Sequence, residues 1–167
     1  MTIFTKININ SNEYNILKYI RDKKLNLTPY IFDLQNDKVI YECYDMTLNK
    51  YMLSHNIKNI HELSENDKNN IYHLINMLHN NNILHGDLHI DNIVIKIDDL
   101  YNNIIDVKLI DFEYSMFVSL LNQQHIDFYN IFWNQNIKNN KNNINGTSLN
   151  ITKGNILFNE KIYLELC

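Results

Sequence analysis

At 167 residues and a net charge of −4, the chain has room for one domain, and 45% hydrophobic residues are enough to fill its core. Residue usage is skewed: 31 Asn and 26 Ile stand against no Ala, one Arg (Arg21) and one Pro (Pro29). That balance excludes a collagen-like or wholly disordered chain, and the scattered Lys residues form no basic face of the kind nucleic acid requires. The favoured residues have AT-rich codons, so individual Asn residues carry little functional weight. Cys43 and Cys167 are too few for a disulfide framework, and no C-x-x-C pair suggests zinc. The first twenty residues lack a signal-peptide apolar run, and no stretch approaches the roughly 20 apolar residues of a membrane span. A soluble, intracellular, cytoplasmic protein is expected, with neither nucleic acid nor membrane as partner.

In chain order, Asn10-Ser11-Asn12-Glu13 predicts a capped helix start, with Ile16, Leu17 and Ile20 on one face. Pro29 stops the helix. Tyr30 to Leu34 and Lys38 to Cys43 read as strands joined by the turn Gln35-Asn36-Asp37. A short helix follows from about Leu48 to His55. Ser64-Glu65-Asn66-Asp67 caps a longer one, in which Ile71, Leu74, Ile75 and Leu78 make an apolar stripe up to about Asn80. Ile93 to Ile97 and Ile104 to Ile110 predict a second hairpin, and a helix is expected around Ile126 to Trp133. The remainder is polar and Asn-rich, with apolar patches at Ile156 to Phe158 and Ile162 to Leu166. No internal repeat is present.

The residues that carry chemistry lie between the long helix and the second hairpin: His85-Gly86-Asp87-Leu88-His89-Ile90-Asp91-Asn92. At the end of the following strand stands Lys108-Leu109-Ile110-Asp111-Phe112-Glu113. The first run resembles the H-x-D-L-x-x-x-N catalytic loop of protein kinases, and the second resembles the D-F-G element with Glu113 in place of Gly. H-x-D-x-x-x-x-N alone would arise by chance in roughly one chain of this composition in ten. The following Asp-Phe, the preceding amphipathic helix and the intervening hairpin make the combined signal specific.

This resemblance to the protein-kinase-like superfamily implies an α+β protein. Its small lobe (1–44) would be truncated, and its large lobe (45–133) small and mainly helical, followed by a polar extension (134–167). It implies ATP and Mg²⁺ as cofactors. Asp87 would accept or orient the acceptor's hydroxyl proton; Asn92 and Asp111 would hold the metal, whose preference is for hard oxygen ligands. Glu13 resembles the glutamate of the small-lobe helix, and Lys6, in Ile3-Phe4-Thr5-Lys6-Ile7, resembles the lysine that pairs with it. Their seven-residue spacing is short for such a pair, reachable but strained. Glu42 to Tyr44 would offer the hinge backbone to adenine. His85 would pack under the loop, and Asp127, in His125-Ile126-Asp127-Phe128-Tyr129, resembles the buried aspartate that braces it.

Departures from the pattern narrow the reading. Gly86 replaces the loop Arg, which argues against activation by a phosphorylated loop. His-Gly-Asp-Leu-His is similar to aminoglycoside phosphotransferases, and Ile110-Asp111-Phe112-Glu113-Tyr114 to choline and ethanolamine kinases. The compact layout and AT-rich coding resemble small kinases of large DNA viruses. No G-x-G-x-x-G is present, which leaves the phosphates uncovered unless a partner or second copy closes the cleft. Three readings stand: a Ser/Thr protein kinase-like enzyme, ranked first; a kinase of a small alcohol, ranked second because few residues after Trp133 remain to build an acceptor pocket; and an idle pseudokinase that binds nucleotide or a partner.

Each residue also has a plainer reading. Asp87, Asn92 and Asp111 are common turn residues, Lys6 is an N-terminal lysine, Glu13 is a helix-cap partner, and Cys43 is a small hinge hydrophobe. His89 and Asp91 are either solvated loop residues or substrate contacts.

Overall fold

A computed structural model describes residues 2–98, 100, 103–140 and 147–166. Strand β1 (Ile3–Ile7), helix α1 (Ser11–Asp22), β2 (Ile31–Gln35) and β3 (Lys38–Glu42) form the small lobe, an antiparallel sheet of order β1-β3-β2 with α1 beside it. The large lobe follows with β4 (Met46–Thr47), α2 (Leu48–Ser54), α3 (Glu65–Asn80), β5 (Ile83–Leu84), β6 (Ile93–Ile97), β7 (Ile104–Leu109), β8 (Met116–Phe117), α4 (Gln123–Asn139) and α5 (Ile156–Leu166). Its strands make one sheet of order β4-β6-β7 and a separate β5-β8 pair. This is an α+β fold with a three-stranded small lobe and a mainly helical large one.

Local chemistry accounts for the helix starts. Asn10 caps α1 by accepting the Glu13 N–H at 2.8 Å, and Ser64 caps α3 by accepting the Asp67 N–H at 3.1 Å; each such cap is worth about 1 kcal/mol. Ile16, Leu17 and Ile20 of α1 pack with Ile71, Leu74, Ile75 and Leu78 of α3 in one buried cluster that runs through both lobes. Apolar periodicity and burial agree there.

The C-terminal third is built differently from its sequence reading. Helix α4 starts at Gln123, under a capping box between Asn122 and His125, and continues past Trp133 to Asn139. Its buried residues Ile126, Tyr129, Trp133 and Ile137 keep helical spacing through the Asn-rich stretch, so burial overrides weak helix propensity. The two apolar patches near the end belong to one helix, α5, which buries Ile156, Asn159, Glu160, Tyr163 and Leu164. Together, α4 and α5 form a second core with Leu84 and Leu149. Much of the segment after residue 133 is therefore built into the large lobe instead of extending from it.

Candidate active site

The loop from His85 to Asn92 joins β5 to β6. Gly86 sits at φ +85°, and a Cβ there would lie 2.2 Å from the Tyr114 carbonyl oxygen, so only glycine fits. Ile110 N–H donates to Asn92 O at 3.0 Å, which ties the loop's end to the residue before Asp111. Asp111 itself takes φ +62°, a left-handed conformation that Asp tolerates better than most residues.

Lys6 leaves β1 and meets both acidic groups at once. Its Nζ donates to both Glu13 carboxylate oxygens at 2.9 Å and to Asp111 Oδ1 at 2.8 Å. The short spacing works because Asn8, at φ +61°, turns the chain sharply between β1 and α1. Glu13 closes no reciprocal box with Asn10; its side chain, 1% exposed, meets Lys6 and the Phe112 backbone. Burial pushes the Glu13 carboxyl up, against the pull of Lys6. Burial alone would lower the Lys6 ammonium, but Asp111 and Glu13 outweigh it and hold it above its ordinary value.

Within the loop, Asp87 is surrounded by donors. The Tyr163 hydroxyl lies 3.3 Å from Oδ1, and His89 Nε2 lies 3.4 Å from Oδ2. Burial would raise the Asp87 pKa; the His89 hydrogen bond and charge, with help from His85 and Tyr163, bring it below the usual carboxylate value. Burial likewise opposes His89, and Asp87 prevails, so that its imidazole is held above the ordinary value. Asn92 donates from Nδ2 to Asp87 O at 2.9 Å, so its amide oxygen is not spent on that bond.

His85 is fully buried. Its Nε2 is 3.0 Å from Ile110 O, its ring packs on Phe112 at 4.8 Å, and burial lowers its pKa.

Asp127 does not brace the loop. It sits one position off the buried stripe of α4, is exposed, and accepts from Gln123 Nε2 at 2.8 Å. The bracing carboxylate is Glu160 of α5, 0% exposed, which accepts the N–H of Gly86 at 2.6 Å and of His85 at 3.2 Å. His79 Nε2 lies 2.8 Å from the same carboxylate. Trp133 Nε1 donates to Gly86 O at 2.7 Å, and Ser115 Oγ to His85 O at 2.7 Å. Sequence reasoning missed Glu160 and Tyr163. Their one signal is a polar pair, Asn159 and Glu160, set inside an apolar pattern at helical spacing.

The hinge residues divide. The Glu42 N–H donates to Tyr30 O at 2.8 Å and the Cys43 N–H to Thr2 O at 3.1 Å, so neither is available to adenine in this arrangement. The Glu42 side chain pairs with Lys96. The Tyr44 hydroxyl donates to Asp106 at 2.5 Å, Asp106 pairs with Lys108, and Lys96 Nζ sits 4.8 Å over the Tyr44 ring. These side chains brace the hinge against the β6–β7 hairpin. Burial and Asp106 push the Tyr44 phenol far above its ordinary value.

A family model for the ecdysteroid kinase-like family matches residues 18–139. The chain belongs to the ecdysteroid kinase-like family. The matched stretch runs from within α1 to the end of α4 and includes Asp87, Asn92 and Asp111. Among solved structures, the BubR1 kinase domain superposes with a TM-score of 0.51 at 20% identity, over 73% of this chain and 41% of that one. The chain thus spans about two fifths of that kinase domain, and the likeness is one of fold. A comparison with curated protein sequences gave no significant match.

The donor set fits the metal that such a fold uses. Asp111 offers a half-exposed carboxylate (43%), and Asn92 an amide oxygen from a segment hydrogen-bonded to the residue before Asp111. Two hard oxygens suit Mg²⁺, which takes few protein ligands and completes its shell with phosphates and water. Bound there, the ion would neutralise phosphate charge beside Lys6. Asp87, bonded to Asn92, opens onto a cleft of about 1000 Å³ walled by α2, α4 and Tyr163.

Proposed function

We propose that this ecdysteroid kinase-like protein is an ATP-dependent phosphotransferase acting on the hydroxyl of a small organic alcohol. The observation that supports it best is that hydrogen bonds through Asn92 link Asp87 to the residue before Asp111, with Asp87 lining a cleft. Lys6 pairs with Glu13 and Asp111, Asn92 donates to the Asp87 carbonyl, and Asp87 lines the cleft.

In this reading Asp87 takes the proton of the acceptor hydroxyl as its oxygen attacks the γ-phosphorus, and the bond to the bridging oxygen breaks to release ADP. Lys6, positioned by Glu13, balances charge on the phosphates. Asn92 and Asp111 would hold Mg²⁺, and the Tyr44 backbone N–H would be the hinge donor for adenine.

The cleft favours a small acceptor. Helix α4 extends past Trp133 and supplies Phe132, Asn136 and Asn139 to its wall, α2 supplies Asn49 and Met52, and Tyr114 adds an aromatic face. These are the helical walls that the sequence seemed too short to provide. A protein Ser/Thr hydroxyl is the second reading, favoured by the likeness to a kinase domain of the protein-kinase fold.

The test has two stages. Thermal shift with ATP, with and without Mg²⁺, reads nucleotide binding. Transfer of labelled γ-phosphate is then measured to choline, kanamycin, a polyhydroxylated steroid, and a Ser/Thr peptide. Transfer to a small alcohol supports the proposal, and transfer to the peptide alone replaces it with the second reading. Mg²⁺-independent binding, or no binding, makes the protein a pseudokinase.

A further inference from the structure

We infer that Tyr163 of α5 is the positioning residue for Asp87, the last member of a relay that runs Asn136–Tyr163–Asp87. The inference rests on the phosphotransferase reading, in which Asp87 receives the acceptor proton, and extends it to a residue outside both kinase motifs.

The hydrogen-bond inventory sets the direction of the relay. Asn136 Nδ2 lies 2.9 Å from the Tyr163 hydroxyl, which lies 3.3 Å from Asp87 Oδ1. An ionised carboxylate only accepts, so the single phenolic proton points to Asp87 and the phenol oxygen receives the amide N–H of Asn136. At 3.3 Å the second bond is long, as catalytic hydrogen bonds often are before substrate binds.

The ring cannot swing away. Tyr163 is 1% exposed and stacks on Trp133 at 5.2 Å with 15° between planes. Trp133 in turn donates to Gly86 O, the carbonyl just before Asp87. One turn earlier on α5, Glu160 holds the Gly86 and His85 N–H groups. Helix α5 therefore grips the loop twice, by its backbone through Glu160 and by its reacting side chain through Tyr163. The phenol thus fixes Oδ1, while Oδ2 faces His89. The pocket that receives the acceptor includes both Tyr163 and Asn136 in its wall, so the relay lies beside the reacting hydroxyl.

Tyr163→Phe is the deciding variant, because it keeps the ring and its stacking and removes only the hydroxyl. A fall of about tenfold in kcat is expected, with KM for ATP unchanged within about twofold, since Lys6 and Asp111 are held by each other and by Glu13. Asn136→Ala should cost less, and the double variant no more than Tyr163→Phe alone, because the two act through one bond. Wild-type kcat in Tyr163→Phe, additive losses, or a loss confined to the acceptor KM would overturn the inference.

A readout independent of turnover separates this inference from the phosphotransferase reading. In protein labelled with 3-fluorotyrosine, the ¹⁹F resonance that disappears in Tyr163→Phe should shift in Asp87→Asn. If it does not move, Tyr163 and Asp87 are uncoupled and the inference fails, even if Asp87→Asn abolishes transfer. If it moves while Asp87→Asn transfers phosphate normally, the coupling stands and the catalytic reading of Asp87 fails.

Discussion

Glu160 accepts the backbone N–H of Gly86 at 2.6 Å across 74 residues of sequence. It also takes the His85 N–H and faces His79, all within the buried core. Glu160→Gln leaves one acceptor oxygen where three donors converge and turns an amide N–H₂ toward a backbone N–H. The expected cost is about 3 kcal/mol in urea unfolding. Asp127→Ala, on the exposed side of α4, should stay within about 0.5 kcal/mol. Reversal of that order would return the bracing role to Asp127.

The two aspartates should separate binding from transfer. Asp111→Asn is expected to remove most Mg²⁺-dependent nucleotide affinity, because it loses the charged metal ligand next to Lys6. Asp87→Asn should bind Mg-nucleotide almost as wild type and transfer nothing, since only the acceptor's proton depends on it. Calorimetric titration of ATP into both variants checks this, and equal loss of affinity in the two would contradict it.

Lys6→Met should lower any transfer activity by at least about tenfold, the loss expected when one charged contact to the phosphates goes. It also leaves Glu13 buried without its counter-charge. Since burial already pushes that carboxyl up, Glu13 should take up a proton in the variant at higher pH than in wild type. Proton release on unfolding, compared between wild type and variant, measures it.

His85 gives a pH dependence whose sign can be worked out. Its folded-state pKa lies below the ordinary 6.5 because burial disfavours the charged ring. Below pH 6.5 the unfolded chain protonates this histidine and the folded chain resists, so stability falls as pH falls, down to the folded-state pKa. One such group contributes a slope of at most about 1.4 kcal/mol per pH unit. His89, raised by Asp87, works in the opposite direction: its contribution is full at low pH and is lost as pH rises through its folded-state value. Comparing unfolding of wild type with His85→Gln between pH 5 and 8 isolates the first term. The variant should show the shallower loss on the acid side, and parallel curves would mean that His85 titrates alike in the folded and unfolded chains.

Where chemistry was local, it was legible. The loop from His85 to Asn92, Asp111 at a strand end, the cap at Ser64 and the stripe Ile71-Leu74-Ile75-Leu78 each depend on residues a few positions apart. Backbone geometry and apolar periodicity express such relations directly in the order of residues. The assignment of Asp127 failed because a likely motif position was weighed without knowing which face of α4 is buried; Ile126, Tyr129, Trp133 and Ile137 define that face and leave Asp127 outside.

By itself, then, the order of residues determined the kinase-like class, the loop, and the candidate base and metal ligands. Only the tertiary structure decided what holds them. Helix α5 buries Asn159 and Glu160 within its inner stripe, and polar residues at core positions break the apolar pattern by which a sequence announces a buried face. A buried carboxylate is tolerable only where donors meet it. Those donors, the N–H groups of His85 and Gly86, reach Glu160 only once the chain has folded back across the loop. The same holds for Lys6, which found Asp111 from 105 residues away.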